Sequence, residues 1–219
     1  MVKMMEANKS HLVVLLHGIR KTNSCLKGLE QFIQTRGFSV LNITYPSTRH
    51  SINELANFIN NITTSKIKEY KIVSFVGFSM GGLVIRAYLN KYKVPNLGKV
   101  VMVGTPNNGS EVADFLISNP LYKKLYGPAG MQLVTNQEKF KNLLGEVNYE
   151  CGIIAGNLPL DFCYPIMRKK SSDGKVSVDS TKLRNMKDHI VLNVTHWYMP
   201  QSRTVWKYIV SFLKYSQFN

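Results

Sequence analysis

Short apolar runs alternate along the chain with stretches whose apolar residues recur every three or four positions. His11–Leu16 carries the continuous run Leu12-Val-Val-Leu-Leu16 and reads as a strand buried on both faces. Residues 24–36 place Leu26, Leu29, Phe32 and Ile33 on one helical face, and Gly37 ends the pattern. Phe38–Ile43 reads as a second strand, closed by Pro46. Ser51-Ile-Asn-Glu54 has the spacing of a capping box and opens a helix carrying Leu55, Phe58, Ile59 and Ile62. Ile72–Val76, Val100–Val103, Cys151–Ala155 and Ile190–Val194 read as further strands. Helices are expected over Met80–Lys91 and from about Thr204 to Tyr215. Strands spaced by crossover helices predict an α/β fold: a mostly parallel central sheet of about six strands, with helices on both faces.

Residues 105–149 break this rhythm, with helix-like pieces near Val112–Ile117 and Phe140–Leu144. They are expected to form a small insertion or cap above the sheet of a single domain spanning residues 1–219. Phe115, Leu116, Ile117, Leu121, Tyr122, Leu125, Tyr126, Met131 and Leu133 lie within it and are candidates to roof an apolar ligand pocket.

Gly77-Phe78-Ser79-Met80-Gly81 fits the pattern G-x-S-x-G. It directly follows one expected strand and opens an expected helix, the setting of a nucleophile elbow. Gly77 and Gly81 suit a turn in which neighbouring backbone comes close, and Ser79 would stand at a helix N-terminus that favours developing negative charge. A serine nucleophile needs a base and a group to orient that base. Of the histidines, His11, His17 and His50 precede Ser79 in the chain. His189 adjoins the N-terminal edge of the last expected strand, whereas active sites of parallel sheets lie at the C-terminal edge. His196 follows that strand and is the expected base.

The acid is sought in the loop after Cys151–Ala155. Asp173, in Ser171-Ser-Asp-Gly174, is favoured over Asp179, then Asp161; Asp188 adjoins the wrong edge. An oxyanion hole requires two backbone N–H donors. Met80, just after the nucleophile, and Ile19, in the loop His17-Gly18-Ile19 after the first strand, are the expected pair. Gly18 shapes that loop, and His17 is expected to orient it rather than act as a base.

Composition narrows the partners. Lys and Arg number 28 against 13 Asp and Glu, a formal net charge of +15 that attracts anions. The basic residues are scattered, with short clusters at Lys123–Lys124 and Arg168–Lys170, and no nucleic-acid motif accompanies them. The charge also suits the headgroups of an anionic membrane surface or an acidic partner, and does not say which. Residues 1–10 lack an apolar signal core, and no apolar run approaches the ~20 residues of a membrane span. Cys25, Cys151 and Cys163 are odd in number and show no paired spacing, so neither a disulfide framework nor a zinc site is expected. A reducing, cytoplasmic setting follows as an expectation.

Together these residues resemble the lipase and esterase branch of the α/β-hydrolase superfamily, from Leu12 to about Leu213. Leu16-His17-Gly18 resembles that branch's oxyanion His-Gly. Gly77-Phe-Ser79-Met-Gly81-Gly82 is similar to the elbow of bacterial triacylglycerol lipases and of acyl hydrolases related to GPI-inositol deacylase. Gly104-Thr-Pro106 with Gly109-Ser110 resembles their Gly-Thr-Pro-x-x-Gly-Ser stretch, and Asp173-Gly-Lys-Val176 their Asp-Gly-x-Val acid segment. The resemblance implies hydrolysis of carboxylic esters through an acyl-serine intermediate, without a cofactor. Some lipases of this branch hold a structural calcium, but no carboxylate pair for one is evident here. Two other classes remain compatible with the sequence: an acyltransferase using the same three residues, and a catalytically silent binding module.

Overall fold

The computed structural model describes residues 9–136, 141–160, 164–167 and 170–219. Six strands form one parallel sheet: β1 (Lys9–Leu16), β2 (Ser39–Ile43), β3 (Tyr70–Phe78), β4 (Leu97–Val103), β5 (Cys151–Gly156) and β6 (Asp188–Leu192). Their spatial order is β2-β1-β3-β4-β5-β6. The chain therefore winds outward in two directions from β1, leaving a topological switch point between β1 and β3, where α/β sheets open a crevice at their C-terminal edge.

The unbroken apolar run of β1 is explained by burial on both faces. Leu12, Val14 and Leu16 join one core, and Val13 and Leu15 join the other. The first core packs under α2 (Ile52–Thr63) and α3 (Met80–Lys91) through Leu55, Ile59, Leu83 and Ala87. The second packs under α1 (Lys27–Gln34) and the C-terminal helix α9 (Arg203–Tyr215) through Leu29, Ile33, Val205 and Ile209. A sheet with both faces covered presents functional groups only at its edges and ends.

Several elements differ from the sequence pattern: β1, β3 and β4 begin two or three residues earlier than expected. The helix expected over residues 24–36 begins as a 3-10 turn, Asn23–Leu26, and becomes α-helical only at Lys27. The last strand is Asp188–Leu192 rather than Ile190–Val194, because it pairs residue for residue with β5 from Gly152 to Gly156 and stops where β5 stops. The Asn157 amide then caps the Leu192 carbonyl, and the chain turns toward His196. Between β4 and β5 lie α4 (Glu111–Leu116), α5 (Pro120–Gly130) and α6 (Lys141–Leu144). The sequence pattern missed α5. Its start is marked by Asn119, whose side chain accepts from the Leu121 amide ahead of Pro120, but Gly127 and Pro128 break its periodicity with a kink. Short helices α7 (Tyr164–Met167) and α8 (Val178–Thr181) precede β6.

No helix among the described residues is long and apolar enough to cross a membrane. Cys25 and Cys151 are both free thiols, and Cys163 lies outside the described residues. Burial raises the Cys151 thiol to about 12, so it is neutral.

The capping box at Ser51 is formed in full, with the Ser51 hydroxyl accepting from the Glu54 amide and the Glu54 carboxylate accepting from the Ser51 amide. Ser51→Ala removes half of it. The expected loss is about 1 kcal/mol, or a fall in Tm of roughly 2–4 °C for a chain of this size, read by thermal denaturation.

Candidate active site

Ser79 stands at the end of β3 and the beginning of α3, with φ 54 and ψ −125. A non-glycine residue in this region is strained, at a cost on the order of 1–3 kcal/mol. Ser79 is held there by its amide, which donates to the Val103 carbonyl at 2.8 Å, and by its carbonyl, which accepts from the Gly82 amide at 3.0 Å. The tightness of the turn decides its neighbours. A Cβ on Gly77 would lie 2.5 Å from the Gly82 nitrogen, and one on Gly81 would lie 2.4 Å from the Leu16 carbonyl oxygen. No side chain fits at either position.

His196 follows β6 and reaches back across the sheet edge. Its Nε2 is 3.0 Å from the Ser79 Oγ, and its Nδ1 is 2.7 Å from Oδ2 of Asp173. Asp173 is almost fully buried, at 1% exposure. Its other oxygen, Oδ1, accepts from the backbone amides of Lys175 and Val176 at 2.9 and 2.8 Å. The His196 amide also donates to the Asp173 carbonyl at 2.9 Å, which pins the two loops together. An ionised carboxylate only accepts, so beside ionised Asp173 the Nδ1 of His196 is the donor and Nε2 is left as the acceptor facing the Ser79 hydroxyl.

The loop after β1 abuts this group, since a Cβ on Gly18 would come within 3.1 Å of the Ser79 Cβ. The backbone amides of Ile19 and Met80 have no acceptor among the described residues. His17 is fully buried, stacked on Tyr45 with centroids 4.1 Å apart. Its Nε2 accepts from the Tyr45 amide, so Nδ1 carries the proton and donates to the Gly18 carbonyl at 2.8 Å. Burial pushes the His17 pKa down, which keeps the ring neutral. The Tyr45 hydroxyl donates to the His17 carbonyl. His17 thus braces the loop and makes no hydrogen bond to Ser79.

The remaining candidates lie elsewhere. His11 bonds Ser74, His189 sits within β6 and bonds Thr181, and His50 is exposed after β2. Asp179 is exposed and pairs with Lys182, while Asp188 accepts from the amides of His189 and Phe218. Asp161 lies outside the described residues, as do Arg168 and Lys169 of the basic cluster. Among the described residues no group of three or more His, Cys, Asp or Glu side chains is placed to hold a metal ion.

A cavity of about 800 Å³ opens over Ser79 and His196. Val112, Ala113 and Leu116 of α4 line it, with Tyr122 and Tyr126 of α5 and Leu133 beyond. Phe115, Leu121 and Leu125, grouped with these by sequence, are instead exposed to solvent. The hydrophobic pattern did not reveal Arg20, Lys21 and Trp197, which also line the cavity. The available signal was adjacency: they directly follow Ile19 and His196.

The strand order and the strained serine between β3 and α3 are those of the α/β-hydrolase fold. Residues 12–149 match the palmitoyl protein thioesterase family, and the chain belongs to that family. It is 26% identical to triacylglycerol lipase 2 of Saccharomyces cerevisiae over 202 aligned positions, covering 78% of this chain and 61% of that protein. The chain thus spans about three fifths of the curated relative it matches. Among solved structures, the mature lipase BlEst2 of Bacillus licheniformis superposes with a TM-score of 0.77 at 16% identity, covering 97% of this chain and 94% of the other. Phospholipase PlaB of Legionella pneumophila superposes with a TM-score of 0.71 at 14% identity, over 93% of this chain and 57% of that one. At such identities the two structures speak for the fold.

Tyr45→Phe keeps the ring stacked on His17 but leaves the buried His17 carbonyl without its hydroxyl donor. The expected cost is about 1–3 kcal/mol of stability, measured by urea denaturation.

Proposed function

We propose that this chain hydrolyses acyl esters or thioesters of lipid type through an acyl-serine intermediate. The observation that carries the reading is the hydrogen-bonded chain Ser79–His196–Asp173 beneath an apolar cavity. Ser79 Oγ attacks the carbonyl carbon while its proton passes to His196 Nε2. The tetrahedral oxyanion is received by the Ile19 and Met80 amides, which are otherwise without acceptors. His196 then gives the proton to the leaving alcohol or thiol as the carbonyl re-forms, and an acyl-Ser79 ester remains. Water, deprotonated by the same imidazole, repeats the sequence and releases the acid. Asp173 keeps Nδ1 protonated and stabilises the imidazolium of each transition state. No cofactor takes part in these steps.

The acyl chain is assigned to the cavity walls of α4 and α5, which makes residues 105–149 the roof of the site. A relative named triacylglycerol lipase, and a family named for a palmitoyl thioesterase, favour a long acyl group. The exposed apolar residues Phe115, Leu121 and Leu125, with Lys123 and Lys124 between them in the chain, favour peripheral contact of this roof with an anionic membrane surface.

A fluorophosphonate probe should add its phosphonyl mass to the wild-type chain, read by intact-mass spectrometry. Ser79→Ala and His196→Ala should abolish the addition. In Asp173→Asn the two backbone amides hold the Asn oxygen and turn its NH2 toward His196, imposing the wrong tautomer; ester turnover should fall roughly 10³–10⁴-fold with the fold intact. Phe115→Asp/Leu121→Asp should reduce co-sedimentation with vesicles containing phosphatidylserine, while binding to neutral vesicles stays low in both proteins.

A further inference from the structure

The cavity is polarised. Its interior wall at Val112, Ala113 and Leu133 is buried and apolar, whereas Arg20 and Lys21 occupy an exposed rim. The two cations are consecutive, directly after Ile19, and each lies against a different aromatic ring. The Arg20 guanidinium lies 5.1 Å from the centroid of Tyr126, and the Lys21 ammonium lies 5.2 Å from that of Trp197. Tyr126 is itself stacked on Tyr122 at 4.5 Å, and the Tyr122 hydroxyl donates to the Gly130 carbonyl. Trp197 is the neighbour of His196. Arg20 adopts φ 58, a strained backbone for this residue, and its amide donates to Ser47 Oγ at 3.0 Å. Its direction is therefore set before any ligand arrives.

Among the described residues no carboxylate pairs with Arg20 or Lys21, and no Asp or Glu lines the cavity. The nearby Glu111 directs its Oε1 to Lys170 and Ser177. Cations stacked on aromatic faces keep their outward N–H donors available to a ligand, and a phosphate accepts such charge-assisted bonds strongly.

We infer that Arg20 and Lys21 form an anion subsite for the leaving group, so that the preferred substrate is an acyl ester or thioester whose leaving alcohol or thiol carries phosphate. The inference rests on the hydrolase reading above and adds the chemistry of the leaving group to it. With the acyl chain in the buried interior and the carbonyl over Ser79, the leaving group is directed toward the exposed rim. Phosphate there is attracted by both side chains.

The test uses two pairs matched in acyl chain and differing in phosphate, at concentrations below aggregation: octanoylglycerol phosphate against octanoylglycerol, and octanoyl-coenzyme A against octanoyl-N-acetylcysteamine. Release of octanoate is followed for the wild type and for Arg20→Gln/Lys21→Gln. A preference in kcat/KM of about tenfold or more for the phosphate member is expected. It should fall toward unity in the double variant and weaken with added salt. Preference confined to the first pair identifies a glycerophosphate leaving group, and preference confined to the second identifies a nucleotide-linked thiol. Equal kcat/KM within both pairs overturns the subsite and leaves the hydrolase reading standing, as does a preference that survives in the double variant. Absence of turnover on all four, with no fluorophosphonate labelling of Ser79, brings down the hydrolase reading and the inference with it.

Discussion

The approach of α3 to the end of β1 constrains everything at the site. Gly81 lies so near the Leu16 carbonyl that a methyl group would overlap it, and only at this separation does the loop His17-Gly18-Ile19 reach the turn carrying Ser79. Two segments more than 60 residues apart in sequence, as counted from Leu16 to Gly81, are thereby held side by side. The rest of the architecture supports that approach. The parallel pairing of β1 with β3 sets the axial level of the two loops, and the two cores clamp the sheet from both faces. His17, neutral and stacked on Tyr45, keeps the first loop from relaxing away.

The backbone around Asn107, Ser110 and Gly145 is tied to this frame by polar groups rather than by apolar packing alone. Arg86, buried on α3, donates to the carbonyl and side-chain oxygen of Asn107 and to the carbonyl of Gly145. It has no carboxylate partner among the described residues, and burial lowers its pKa. A buried cation is tolerable here because three oxygens surround it, though its Nε has no partner. Asn107 in turn donates to the Thr181 carbonyl. Ser110 Oγ donates to the Lys175 carbonyl, so the start of α4 is bonded to the loop that carries Asp173. The wall of the cavity and the acid of the site therefore belong to one hydrogen-bonded unit.

Much of this was legible in the sequence because its signals were local. The run Leu12–Leu16, the capping box at Ser51 and the glycines around Ser79 each report a physical requirement within a few residues. Chain order and strand edges were enough to set His196 and Asp173 ahead of their competitors. What escaped was set by distant contacts. The limits of β6 come from pairing with β5, and α5 was masked by its Gly127–Pro128 kink. Arg20 and Lys21 read as two more charges in a basic chain. Their relation to Tyr126 and Trp197 exists only once residues more than 100 positions apart are brought to one rim. The same holds for Phe115, Leu121 and Leu125, which their place in the segment 105–149 grouped with the cavity wall and folding turned outward.

The strained backbone at Ser79 carries an evolutionary consequence. Glycine would occupy φ 54 with less steric penalty than serine, so replacing Ser79 with glycine relieves part of the strain. Persistence of the fold and reactivity of the site thus pull this one position toward different residues. A lineage of this fold released from selection for turnover would drift toward the smaller residue, gaining durability as it lost chemistry.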